Sequence, residues 1–332
     1  MAQKDGANHA ISPAEVSQTI NQVRASANTY VLERALAIGR VLLRAGRFGE
    51  AADLFTALAE RKPRDPDILY GQALATFNTG RVAEAERLAR QAVNEALSDE
   101  HQSKGTDRVE RSADALVLLA VILAVRGDDA SALKVVQQAV QLAPQHFDAQ
   151  LALGRALFGI GDDGGAIRAF RAARALQPAN AQALFFLATA LERSGEIKAA
   201  LATYRELIVV KPNMFEGHLG LGALLLKRGG TEAEEGLKEL ERALEVNSNL
   251  YEAHVALGRA LIARGRPADA IAHLHRAAEL APENPEPHYQ LSLAYRRLGR
   301  KEEAAAQSAI VKRIHESRRG TKAVVQSRPG LN

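Results

Sequence analysis

"DAQLALGRALFGIGDDGGAIRAFRAARALQP", residues 148–178, reads as two short helices joined by a turn. Leu151, Leu153, Gly154 and Leu157 recur at helical spacing before Gly161. Ala166, Phe170 and Ala173 continue that spacing after it. Pro178 ends the second helix, because proline has no amide hydrogen and disfavours helix in the residue before it. The stretch is helix, glycine turn, helix, proline stop.

The same unit recurs along the chain. Gly46, Gly80, Gly127, Gly161, Gly195, Gly229, Gly265 and Gly299 mark it, and five of the seven intervals are 34 residues. One interval is 36 and one is 47. A fixed period of this size indicates a solenoid, in which each unit buries its apolar face only against its neighbours. Two rows of small residues run in register with the glycines. Gly39, Ala73, Ala120, Gly154, Ala188, Gly222, Gly258 and Ser292 stand on the first helices. Ala51, Ala85, Ala132, Ala166, Ala200, Gly236, Ala270 and Ala304 stand on the second. Small side chains there let two helix backbones cross closely.

The stretches "IGRVLLRAGRFGEAADLFTALAERKP" (38–63), "LGRALFGIGDDGGAIRAFRAARALQP" (153–178) and "LGRALIARGRPADAIAHLHRAAELAP" (257–282) resemble the tetratricopeptide repeat (TPR) family. The resemblance covers roughly residues 32–318. It implies an all-α fold, a right-handed α-solenoid of tandem helix–turn–helix repeats. It also implies that the first helix of each pair lines a concave binding surface. Some features depart from the family pattern. The aromatic expected early in the first helix is replaced by Ala35, Leu69, Leu116, Gln150, Leu184, His218, His254 and His288. Repeat two carries Leu97 where a closing proline is expected, and "GGTEAEE" adds two residues to repeat six.

Eight repeats are expected at 32–65, 66–99, 113–146, 147–180, 181–214, 215–250, 251–284 and 285–318, with a polar insertion at 100–112. Residues 1–12 read as disordered. Ser12-Pro13-Ala14-Glu15 reads as a capping box that opens a capping helix over 13–31. Residues 319–332 read as a disordered basic tail. From Arg296 onward there are ten Lys or Arg against three Glu, so the net charge of +4 belongs to the C-terminal end. The body of the chain is slightly acidic, which argues against a specific nucleic-acid partner.

There is no cysteine, which removes disulfides, thiolate metal sites and cysteine nucleophiles. No stretch approaches the ~20 apolar residues of a membrane span. Residues 1–18 contain no apolar signal core, so a cytoplasmic location is expected; a periplasmic or secreted one applies if a signal peptide has been removed. The expected function is a non-catalytic scaffold, monomeric, without cofactor or metal. It would receive a protein or peptide with apolar anchors and acidic flanks. The alternative is a regulatory or substrate-presenting subunit whose catalytic part lies on another chain.

If the first helices face a groove, its apolar rows include Tyr70, Leu151, Phe185 and Tyr289, and Phe77 and Phe158 one row further. Arg40, Arg44, Arg155, Arg193, Lys227, Arg259, Arg296 and Arg297 stud the same face. Arginine and aromatic residues are the types enriched at interface hot spots. Packing between repeats is the competing reading for the apolar rows. Pairing with Glu33, Asp67, Asp114, Asp148, Glu216, Glu252 and Glu286 is the competing reading for the cations. The Lys and Asn of a chaperone-tail carboxylate clamp are absent, since Leu36, Tyr70 and Val117 hold the leading place. His218, His254 and His288 are expected to replace the missing aromatic in packing, since equivalent positions sit ~10 Å apart in successive repeats. His273 and His275 lie on opposite sides of one helix and share no metal. The glycines of "GLGALLLKRGG" follow no strand, which removes a phosphate loop.

Overall fold

A computed structural model describes residues 11–26, 28–98 and 106–326. Among the described residues there are seventeen α-helices and no strand. The chain divides into two compact units, one ending at Pro178 and one beginning at Ala179.

The first unit begins with α1 (Pro13–Ala25) and continues in four helix pairs. These are α2 (Thr29–Arg44) with α3 (Phe48–Arg61), α4 (Pro66–Asn78) with α5 (Val82–Ser98), α6 (Thr106–Val125) with α7 (Asp129–Leu142), and α8 (Phe147–Gly159) with α9 (Asp163–Leu176). The second unit holds four more. They are α10 (Ala181–Arg193) with α11 (Ile197–Val210), α12 (Phe215–Arg228) with α13 (Ala233–Val246), α14 (Tyr251–Ala263) with α15 (Pro267–Leu280), and α16 (Pro285–Arg297) with α17 (Lys301–Gln326).

Each pair is closed by its glycine. At Gly161 φ is +84°, in the left-handed region that a side chain disfavours. That conformation lets the Gly161 amide donate to the Phe158 carbonyl (3.2 Å) and the Asp162 amide to the Leu157 carbonyl (2.9 Å). Two orphan carbonyls of α8 are thereby satisfied. Asp162 then caps α9, its carboxylate accepting from the Gly165 amide at 2.8 Å. The same two bonds recur at Gly46 and at Gly265. Repeat six breaks the pattern. Its two extra residues are taken up by a 3-10 turn over Gly230–Glu232, and Gly229 and Gly230 both have positive φ.

The rows of small residues lie where the helices cross. A Cβ on Gly222 would sit 2.9 Å from the Gly236 carbonyl, so these two backbones touch. In repeat eight the Ser292 hydroxyl donates to the Ala304 carbonyl across the equivalent crossing at 3.0 Å. Large side chains of the second helices fill the remaining space. Phe55 (α3) lies over Gly39 and Gly71, and Phe170 (α9) lies over Gly154. Both rings are fully buried. A glycine with no such neighbour behaves differently. A Cβ on Gly159, the last residue of α8, would meet nothing within 4 Å. Gly159→Ala is expected to raise stability by about 0.5 kcal/mol through helix propensity, read as a higher urea midpoint. A fall in the midpoint would contradict this account of which glycines are sterically required.

Three sequence expectations are corrected. The helix expected over 13–31 stops at Ala25, because Ser26 is extended (φ −139°, ψ 137°). Asn28 then caps α2 by accepting from the Tyr30 amide at 2.9 Å. The Ser12 cap itself is present, accepting from the Glu15 amide at 3.1 Å. Val16, Thr19 and Val23 of α1 are buried, and Arg61 of α3 donates to the Val23 carbonyl at 3.0 Å.

The insertion expected at 100–112 is partly helical. Residues 99–105 lie outside the described residues, but α6 begins at Thr106. Its added turns are docked on the end of α5, with Ser112 donating to the Ala96 carbonyl (3.1 Å) and Arg108 to that of Leu97 (2.6 Å). The tail expected to be disordered from 319 is helical to Gln326. One glycine, Gly320, costs a helix only about 1 kcal/mol and does not end it, and no proline occurs before Pro329. Residues 1–10 and 327–332 fall outside the described residues.

Candidate functional site

The cations of the first helices separate into paired and unpaired ones. In the first unit, Arg40 is neutralised by Asp67 of the next repeat at 2.9 Å. Arg111 approaches the same carboxylate at 3.9 Å. Asp67 still has its pKa pushed up, because burial outweighs the two arginines. Arg44 is exposed at the end of α2. Tyr70 is half-buried, and burial, helped by the charges of Asp114 and Asp148, pushes its phenol up to about 12. Phe77 is half-buried against the core formed by α4, α5 and α6. Leu151 is only 6% exposed and is a core residue, so the expectation that it meets a partner is corrected. Tyr289, on the same row in the last repeat, is 51% exposed.

A hollow of about 290 Å³ also lies in the first unit. Val121, Ala124, Val125, Ala152, Ala156 and Gly159 form its apolar walls, with Arg155 and Asp129 at its edge. Phe158 is half-buried nearby on α8.

In the second unit, Phe185 is half-buried and tilts against Phe186 with ring centroids 5.4 Å apart. Arg193 is exposed. The remaining predicted cations converge. Lys227 on α12, Arg259 on α14 and Arg297 on α16 line one open groove of about 660 Å³. Leu226, Ile262 and Leu293 form its apolar floor, and Ala223, Ala256, Ala260 and Ala263 leave it room. Gln290 completes the wall, and no carboxylate lines it. The Arg297 guanidinium donates to the Ile262 carbonyl, which fixes its head at the groove. Lys227 and Arg259 are exposed, and neither makes an ion pair or side-chain hydrogen bond among the described residues. Arg296 turns back toward the Ser292 carbonyl at 3.4 Å.

This arrangement can attract and orient anionic groups while burying apolar ones. The alanines that open the groove carried no functional signal in the sequence. They line the same groove as the cations.

The histidines do structural work. His218 Nδ1 meets the Glu239 carboxylate at 2.7 Å, and its Nε2–H donates to the Pro212 carbonyl at 2.8 Å. His254 Nε2–H donates to the Ser248 carbonyl at 3.1 Å, and its Nδ1 faces Nδ1 of His273 at 3.1 Å. His288 Nδ1–H donates to the Gln307 amide oxygen at 2.7 Å. Each ties a first helix to its own second helix. The partners Glu239, His273 and Gln307 recur at 34-residue spacing, a row the sequence reading missed. Among the described residues, no group of three or more His, Cys, Asp or Glu is placed to hold a metal ion. Glu192 on α10 accepts from the Tyr204 hydroxyl at 3.0 Å.

A tetratricopeptide repeat model matches residues 36–101, 87–147 and 151–216, and a second one matches 261–309. Among curated protein sequences nothing matches the chain. Among solved structures, Cut9 in the APC/C hetero-tetramer Cut9–Hcn1 is similar, with a TM-score of 0.61 and 16% identity. That match covers 85% of this chain and 52% of the other. The C-terminal part of a TPR repeat-containing protein from Cytophaga hutchinsonii aligns at a TM-score of 0.55 and 17% identity, over 77% of this chain and 99% of that one. At such identities the likeness concerns the fold.

Proposed function

Because this chain belongs to the tetratricopeptide repeat family, whose members serve as protein-interaction scaffolds, we propose that it binds a peptide segment in the groove of its second unit. The scaffold is non-catalytic in this reading and acts as a monomer. The observation that carries the proposal is the convergence of Lys227, Arg259 and Arg297 over an apolar floor, with two of these cations making no ion pair or side-chain hydrogen bond among the described residues. Unpaired cations beside apolar surface favour a ligand that supplies both carboxylates and aliphatic or aromatic anchors. Arg40 in the first unit offers no such site, because Asp67 already occupies it.

The test uses two labelled synthetic peptides of equal length, one of leucines flanked by glutamates and one of leucines flanked by lysines. Fluorescence anisotropy should show binding of the acidic peptide alone. Lys227→Glu with Arg259→Glu should weaken it at least tenfold, a change of ~1.4 kcal/mol, with the circular dichroism spectrum unchanged. Added salt should weaken it further, since the cations are exposed. Equal binding of both peptides, or an unaffected double variant, would remove the groove from consideration.

A further inference from the structure

We infer that the facing pair His254–His273 makes repeat seven an acid-sensitive joint, and that its loosening at low pH releases whatever the second unit's groove holds. The second half rests on the groove reading above; the first half does not.

The argument begins with the tautomers. The Ser248 carbonyl is an acceptor only, so His254 must carry its proton on Nε2 to satisfy it. In the neutral ring Nδ1 is then a bare acceptor. His273 faces it Nδ1 to Nδ1 at 3.1 Å, so His273 must supply the proton between them. One proton holds the pair. Adding one proton charges the pair once, and the bond survives if His254 donates from Nδ1 while His273 shifts its own proton to Nε2; adding a second puts an N–H on both facing nitrogens and sets two positive charges against each other at that distance. The ring centroids are 5.4 Å apart, and His254 is only 8% exposed, so that ring cannot turn freely into water.

The equivalent joints in the neighbouring repeats respond differently. His218 faces the Glu239 carboxylate and the Pro212 carbonyl, two acceptors that a doubly protonated ring satisfies. His288 donates to the Gln307 oxygen, a bond that further protonation leaves intact. Repeat seven alone among these three opposes one imidazole with another.

Nearby ionisable groups do not cancel the effect. On α13, Glu239 is held by His218 and Arg242. On α16, Glu286 accepts from Gln290, and His288 is bonded to Gln307. On α15, Asp269 pairs with Arg266, and Arg276 pairs with Glu279. Burial first, and the His254 charge second, push the His273 ring below the usual imidazole value. A group depressed in the folded state contributes stability that is complete above its unfolded value of ~6.5 and is lost as pH falls below it. The consequence reaches the groove because α14 carries both His254 and the groove residues Arg259 and Ile262.

The experiment is hydrogen exchange on the full chain between pH ~7.5 and ~5.5, corrected for intrinsic exchange, with His273→Gln as comparison. The variant copies the His288–Gln307 pair, whose amide can donate to a neutral ring or accept from a protonated one. Protection across α14 and α15 should fall in the wild type by up to about tenfold per pH unit, while α12 and α13 hold. His273→Gln should abolish the difference. Equal pH dependence in both proteins would overturn the joint. The acidic leucine–glutamate peptide tests the coupling. Its affinity should drop on acidification in the wild type and less in His273→Gln; an equal drop overturns the coupling. If α14–α15 loosen with acid but the peptide binds at no pH, the groove reading fails and the joint stands.

Discussion

Gly154→Leu will destabilise the first unit by about 2–3 kcal/mol, enough to lower its urea midpoint clearly. A Cβ at this position would lie 2.4 Å from two ring carbons of Phe170, far inside van der Waals contact. Phe170 is completely buried and has no outward path. Leucine is a better helix former than glycine, but that returns less than about 1 kcal/mol. The clash therefore outweighs the propensity gain, and the leucine's remaining carbons deepen it. Circular dichroism in urea should show the loss, and hydrogen exchange should localise it to α8 and α9. An unchanged midpoint would mean that these two helices do not cross at Gly154.

Phe55→Ala removes the complementary half of the same kind of contact, and about 3–5 kcal/mol is expected to go with it. The ring is 1% exposed and serves two repeats at once, since it lies over Gly39 of its own repeat and Gly71 of the next. Deleting it leaves a cavity between α2, α3 and α4 that glycines cannot fill. The partner change alone, Gly71→Leu, is also destabilising, because a Cβ there would sit 2.3 Å from the Phe55 ring. Together the two changes exchange a large residue and a small one across a fixed gap. The double variant should be more stable than the sum of the single losses by about 1 kcal/mol or more. Strict additivity would show that ring and glycine are not in contact.

What the sequence disclosed follows from where backbone geometry dictates residue type. Gly161 must adopt a left-handed conformation, and Gly222 with Gly236 must let backbones touch, so both stand out without a structure. Groove chemistry was less legible because it depends on neighbours. Arg40 and Lys227 look alike in the sequence, yet Asp67 reaches only the first. Leu151 and Tyr289 share a row, yet the first is 6% exposed and the second 51%. The helix runs past residue 319 because Gly320 is only a weak point and no proline interrupts the tail before Pro329. His273 was compared with His275 on its own helix, whereas its partner stands on the helix before. The 34-residue recurrence of Glu239, His273 and Gln307 was the available signal.

The imidazole N–H bonds to turn carbonyls have a practical consequence. His218 and His254 each anchor one ring proton to the carbonyl of the turn preceding their own helix. Protons held this way exchange slowly with water and resonate apart from the amide envelope. The protein thus contains an intrinsic magnetic-resonance reporter in repeat six and another in repeat seven. In a linear array whose units melt by nearest-neighbour rules, following each signal through denaturant would give the opening order of adjacent repeats without any introduced label.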